Sequence, residues 1–164
     1  MVPTADLIKY LTDNHVAFNA LSHVPTHTSR AVAMANHVSE ECVSTVRVFR
    51  ALQKYWLAVL PGNSQLNIDE LRRLLSADVS PVSDWDVERL FPECESGALP
   101  PFGKLYGMNV IADATFQRTG RMVFNACCHT VSIAMDWSAF ERLEHPQIAQ
   151  IVESADILEE GAMQ

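Results

Sequence analysis

Gly97-Ala98-Leu99-Pro100-Pro101-Phe102-Gly103 is the stretch of this 164-residue chain that says most about its architecture. Glycine reaches backbone conformations closed to other residues, and proline stiffens the chain between them, so the loop is rigid and bare. Such a loop can bring backbone N–H groups against a ligand, the arrangement that stabilises an oxyanion developing on a carbonyl. A tight turn with no ligand uses the same residues, so the surroundings have to decide. Glu93 to Gly107 holds three glycines and two adjacent prolines. That composition predicts a long shaped loop in place of a helix or strand, and long loops in compact domains usually carry function.

Outward from the loop, the pattern alternates helix and strand. On the N-terminal side, Thr4 can cap a helix to about Asn14, with Leu7, Ile8 and Leu11 on one face. Val16 to Leu21 alternates as a short strand, and Thr28 or Ser29 caps an alanine-rich helix over Arg30 to Val38. Cys42 to Arg50 and Tyr55 to Leu60 are β-branched and pair as a hairpin, closed off by Pro61-Gly62-Asn63. Asn67 with Glu70 starts a helix over Ile68 to Leu75. Val79 to Val82 reads as an edge strand because Pro81 would break a central ladder, and Ser83 caps a helix over Asp84 to Phe91. On the C-terminal side come strands over Asn109 to Asp113, Arg121 to Cys127 and Thr130 to Met135. A helix over Trp137 to Glu144 and a last one over Gln147 to about Ala155 complete the chain. The expected fold class is α+β, a mixed and largely antiparallel sheet with helices packed around it, in one domain over residues 1–164.

Composition narrows the function classes. The formal net charge is −8, but residues 1–73 carry seven Lys/Arg against six Asp/Glu, while residues 74–164 carry five against fourteen. A nucleic-acid partner would therefore have to meet a local basic surface drawn from Arg30, Arg47, Arg50, Lys54, Arg72 and Arg73, and the overall charge argues against tight nonspecific binding of a polyanion such as DNA. Met1 to Leu11 lacks the pattern of a signal peptide, and the apolar runs are too short to span a bilayer, so the expected location is cytoplasmic with no membrane partner. Cys42, Cys94, Cys127 and Cys128 show neither a C-x-x-C pair nor a regular disulfide spacing; reduced thiols are expected, with Cys127 and Cys128 as small buried hydrophobes. A redox or metal role for Cys127-Cys128-His129 is the weaker reading, and it would require bound metal or a low-pKa thiol. The chain has no G-x-S-x-G elbow and no H-E-x-x-H spacing; no metal or cofactor is expected.

Phe91 to Gly103, followed by Leu105-Tyr106-Gly107 and a strand ending at Asp113, resembles the YbaK/prolyl-tRNA synthetase-associated editing domain family. His23 with Thr28 and the helix after it, Val59-Leu60-Pro61-Gly62 after a hairpin, and Asn125 to Met135 fit in the same order, so the resemblance spans nearly the whole chain. It implies a trans-editing aminoacyl-tRNA deacylase, an ester hydrolase serving translation fidelity. The implied partners are a mischarged aminoacyl-tRNA and an aminoacyl-tRNA synthetase. An aminoacyl ester is already activated, so a pocket that orients its carbonyl, supplies oxyanion donors near Gly103 and admits water can suffice, with the substrate's ribose hydroxyl assisting.

The same resemblance assigns the candidate site. Gly103 is the oxyanion donor; Ser44 and His129 are polar catalytic lining; His23, Thr28, Gly97, Pro100, Pro101 and Phe102 form the substrate-binding walls. Two positions depart from the family pattern. Ser44 stands where relatives carry a lysine early in the hairpin, which removes a cation that would contact the substrate, and Arg47, three positions on, is expected on the opposite strand face. Lys54 or Arg30 could replace that cation only if the fold brings one of them to the site. Cys127 stands where relatives tend to have a glycine. His129 reads equally as a polar group at the pocket rim or as a hydrogen-bonded histidine at a strand junction. Loss of the lysine leaves a second implied function, a noncatalytic module that binds an aminoacyl-tRNA end, a small amino acid or a protein partner.

Overall fold

The computed structural model describes residues 3–62 and 64–153. Asn63 and the acidic tail from residue 154 onward lie outside the described residues.

The hairpin is the centre of the fold. β2 (Ser44–Ala51) and β3 (Lys54–Pro61) pair antiparallel along their whole length. Leu52 and Gln53 form the two-residue turn, with φ of 55° and 63°, the doubly left-handed backbone that matches the twist of the flanking strands. β4 (Val79–Pro81) lies on the far edge of β2, where Pro81 costs no ladder bond. β5 (Asn109–Asp113) and β8 (Gln147–Ala149) add in parallel on the other side, giving a five-stranded sheet in the order β4-β2-β3-β5-β8. β1 (Phe18–Ser22), β7 (Val131–Asp136) and β6 (Arg121–Asn125) make a separate antiparallel three-stranded sheet. A bridge between Val43 and Val123 joins the two. The fold is therefore α+β, with two sheets in place of the single one expected.

Alternation along the strands sorts the apolar residues into layers. Val48, Leu57, Val59 and Ala112 face Met122, Phe124, Ile133 and Met135 across the gap between the sheets. α1 (Pro3–Asp13) contributes Leu7 and Leu11 to this layer, and α6 (Trp137–Glu144) contributes Trp137 and Phe140. The opposite face of the large sheet, Phe49, Trp56, Ala58, Leu60 and Ile111, is covered by Leu71 of α3 (Ile68–Leu75). α2 (Ser29–Asn36) lays Val32 and Ala33 on Val123 and Ala134 of the small sheet. Each fully buried large side chain contributes roughly 1.5–3 kcal/mol.

Three local readings change. Gly103–Tyr106 inside the long loop forms a 3-10 turn. α5 (Thr115–Thr119) is a single short helix that the sequence did not announce. Gln147–Ala149 is strand β8, where a helix was expected; the apolar spacing of Ile148 and Ile151 suits either, and pairing with Ile111–Asp113 settles it. The part of that expected helix beyond Glu153 lies outside the described residues. α4 (Asp84–Leu90) starts at its expected Ser83 cap.

Candidate functional site

β4 pairs with β2 only at Phe49–Ala51, so among the described residues no strand pairs with Ser44–Arg47 on that side. This open edge is the floor of a polar cavity of about 470 Å³. The start of α2 (Thr28, Ser29, Arg30), Glu40, Gly62, Asn125 and the loop residues Gly97 and Leu99 complete its walls. A second, apolar cavity of about 260 Å³ shares Val46, Arg47, Gly97 and Leu99 with it and runs on to Val87, Phe91 and Cys94.

Of the expected residues, Ser44, Thr28 and Gly97 meet in the polar cavity. The Ser44 hydroxyl is buried and donates weakly to the Val123 carbonyl at 3.5 Å. Thr28 caps α2 by accepting from the Ala31 N–H at 3.1 Å, and it lines the cavity as well. Ser29 donates to the Glu40 carboxylate at 2.7 Å, which fixes that acid at the wall. Both Arg30 and Arg47 line the cavity, and neither forms an ion pair among the described residues. Arg47 corrects the alternation argument. It does point from the other face of β2 than Ser44, but with no neighbouring strand on that edge both faces reach the same opening. Lys54 pairs with Ala51 at the hairpin turn and does not line the cavity.

Sequence reasoning did not select Asn125. Its Oδ1 is a buried acceptor with no hydrogen-bond partner among the described residues, and the residue lines the cavity. The Gly97 N–H also has no acceptor among the hydrogen bonds of the described residues, while Gly97 itself sits at φ +81° on the wall. No periodicity or motif marks Asn125; its position at the end of β6 beside the open edge of β2 is a product of the bridge between Val43 and Val123.

The remaining expectations separate from the cavity. Pro100, Pro101, Phe102 and Gly103 are all buried. Phe102 packs edge-on against Tyr10, Phe124 and Phe140 at 6.0, 5.3 and 5.4 Å. Lys104 N–H donates to the Glu144 carboxylate at 3.1 Å, the Gly103 amide favours the charge on the same group, and Gly103 lines neither cavity. Burial holds the Glu144 carboxyl above its ordinary value despite those donors and the Tyr10 hydroxyl at 3.0 Å. Tyr10 is raised in turn, first by its own burial and then by the Glu144 charge. His23 contacts the Val24 carbonyl and Ser132 Oγ, away from the cavity.

His129 follows the second of its two readings. Its Nδ1 lies 2.8 Å from the Thr26 carbonyl and its Nε2 2.7 Å from the Ser96 carbonyl. Its N–H donates to Glu95 Oε2 at 3.0 Å, and the buried ring packs on His27 at 4.3 Å. With both ring nitrogens within 2.8 Å of backbone carbonyls, His129 ties the loop to the turn and does not line the polar cavity. The thiols also differ from expectation: Cys94 and Cys127 are joined as a disulfide, with Cα atoms 4.5 Å apart. Cys42 and Cys128 are free. Burial pushes the Cys128 thiol up, but hydrogen bonds from Thr4, Thr130 and Val131 outweigh it and leave the thiol below its ordinary value. Among the described residues no cluster of His, Cys, Asp and Glu could hold a metal, and no helix is long and apolar enough to cross a membrane.

The family model of the aminoacyl-tRNA editing domain matches residues 23–143. No curated protein sequence matches the chain significantly. Among solved structures, a proposed trans-editing enzyme for prolyl tRNA synthetase is similar with a TM-score of 0.80 at 16% identity, covering 94% of this chain and 99% of that one. A hypothetical protein is similar with a TM-score of 0.82 at 16% identity, covering 90% of this chain and 99% of its own. Part of a proposed signal transduction protein from Marinobacter aquaeolei matches with a TM-score of 0.70 at 14% identity, over 90% of this chain and 30% of that one. At these identities the structural likeness speaks for the fold.

Proposed function

This chain belongs to the aminoacyl-tRNA editing domain family, and from that membership we propose that it is an aminoacyl-tRNA deacylase, hydrolysing the ester of a mischarged tRNA in trans in the polar cavity. The observation that carries this reading is the meeting, in the lining of one cavity, of two arginines without an ion pair, Gly97 with no acceptor for its N–H, and Asn125 with no partner for its buried Oδ1 among the described residues. Arg30 and Arg47 hold the phosphates next to the terminal ribose. Glu40 and Asn125 Oδ1 accept from the α-ammonium of the amino acid. Water adds to the ester carbonyl, the oxyanion forms against the Gly97 N–H, and the C–O bond breaks with the proton passing to the ribose oxygen. The oxyanion role moves from Gly103 to Gly97 because Gly103 is buried and does not line the polar cavity, whereas Gly97 does. No side-chain triad is required, since the ester is activated and the cavity supplies orientation. The expected setting is the cytoplasm, where a partner aminoacyl-tRNA synthetase releases its errors.

A panel of mischarged tRNAs tests the reading. At least one is expected to be deacylated above the buffer rate, and Arg47→Ala to lower kcat/KM by about 10–100-fold, the worth of one charge-assisted hydrogen bond of roughly 1.5–3 kcal/mol. Ser44→Lys, which restores the cation of the family pattern, is expected to raise the rate. Binding of aminoacyl-tRNA with no turnover of any substrate would favour the noncatalytic module, which the serine at position 44 supports.

A further inference from the structure

Cys94 sits three residues before Gly97, and Cys127 lies in the turn between β6 and β7. The bond between them is the centre of a clamp. Glu95 N–H donates to the Cys127 carbonyl and Cys127 N–H to the Ala98 carbonyl, both at 3.0 Å. The Glu95 carboxylate accepts from the His129 N–H, and His129 Nε2 lies against the Ser96 carbonyl. Every residue from Cys94 to Ala98 except Gly97 is thus tied to the turn, and Gly97 is the one that lines the polar cavity and whose N–H has no acceptor among the described residues. Cys127 also takes a left-handed backbone, φ +69°, a conformation uncommon for residues with a side chain. The two residues differ in exposure: Cys127 is 2% exposed, whereas Cys94 is half-buried and lines the apolar cavity.

We propose that Cys94 and Cys127 are a reversible thiol–disulfide modification site that sets the position of the Gly97 rim and so switches the adjoining polar cavity. The consequence for catalysis rests on the deacylase reading; the movement of the rim does not. In oxidation, the Cys94 thiolate attacks a small-molecule disulfide through the apolar cavity and releases one thiol. The Cys127 thiolate then displaces the second thiol from Cys94. Two protein thiols become one disulfide, and one small-molecule disulfide becomes two thiols, so electrons and protons balance. In reduction, a small thiolate attacks Cys94, Cys127 leaves, and a second thiol frees Cys94. The oxidised state holds Gly97 at the wall and is the competent one; in the reduced state only the hydrogen bonds keep the rim in place.

The test uses the full chain, prepared oxidised with glutathione disulfide and reduced with dithiothreitol, the thiol state being counted by mass. Amide hydrogen exchange over residues 95–99 and 127–129 is expected to quicken at least tenfold on reduction, with the strands β2 and β3 unchanged. Deacylation kcat/KM is expected to fall by a similar factor. Cys94→Ser should match the reduced protein under both conditions, and Cys128→Ser should keep the full response. Equal rim exchange in both states overturns the proposal. Loss of protection throughout the chain on reduction also overturns it, because the bond would then hold the fold and not the rim. Absence of deacylation in either state defeats the deacylase reading alone, and rim exchange still decides this one.

Discussion

The two halves of Gly97-Ala98-Leu99-Pro100-Pro101-Phe102-Gly103 do different work. Gly97 is exposed and Leu99 half-buried on the cavity wall, while Pro100 to Gly103 are buried and Phe102 packs among the aromatic side chains of the core. Both ends are glycine, for unlike reasons. A Cβ on Gly97 would meet nothing closer than His129 Cε1 at 3.7 Å, so space is available and the φ of +81° is what excludes a side chain. A Cβ on Gly103 would lie 2.3 Å from the Met108 carbonyl oxygen and 2.6 Å from Val110 Cγ2, so there the obstacle is volume. A motif that looks like one ligand loop is a ligand wall welded to a packing anchor.

Substituting each glycine separates the two roles. Gly103→Ala should give the largest effect, a loss of about 3 kcal/mol or more in denaturant unfolding, because the close atom is backbone and cannot swing aside. If Gly103→Ala instead left stability intact and abolished deacylation alone, the division of the loop would be wrong. Gly97→Ala should cost only about 1–2 kcal/mol of stability, the strain of a left-handed backbone. Its effect on deacylation kcat/KM should be larger in proportion, since the strained rim turns the N–H away from the cavity. Equal losses of stability and activity would make Gly97 a structural residue like Gly103.

The same division explains what was legible in the sequence. The caps at Thr28, Asn67 and Ser83, the hairpin, and the edge strand at Pro81 depend on neighbours within a few residues, and the structure has them where local chemistry placed them. Ser44, Thr28 and Gly97, chosen from the sequence, line one cavity. The misplaced residues depend on long-range partners. Gly103 is buried against Met108 and Val110, and the next amide, Lys104, bonds the carboxylate of Glu144, 40 positions away, which nothing around Gly103 announces. Arg47 enters the site because β4 stops short along β2, a fact about strand lengths that alternation does not carry. Cys94 and Cys127 are 33 residues apart with no motif between them, and only the approach of the loop to the β6–β7 turn makes them neighbours.

Glu144 gives the smallest and most diagnostic test of the buried half. Its carboxyl stands above the ordinary value of 4.5 because burial disfavours the charge more than Lys104, Tyr10 and Gly103 favour it. A raised carboxyl binds its proton more tightly in the folded chain than in the unfolded one, so stability from this group is fully present below the unfolded value and is lost as pH rises through the folded value. Glu144→Gln keeps an acceptor for the Lys104 N–H and removes the titration. Unfolding measured from pH 4 upward should therefore show a flatter decline in the variant just above pH 4.5, with the two proteins within about 1 kcal/mol of each other at pH 7. Deacylation by the variant should follow the native pH profile, because no atom of Glu144 reaches the cavity where Gly97 stands. A shift of that profile would return the Gly103 end of the loop to the catalytic machinery.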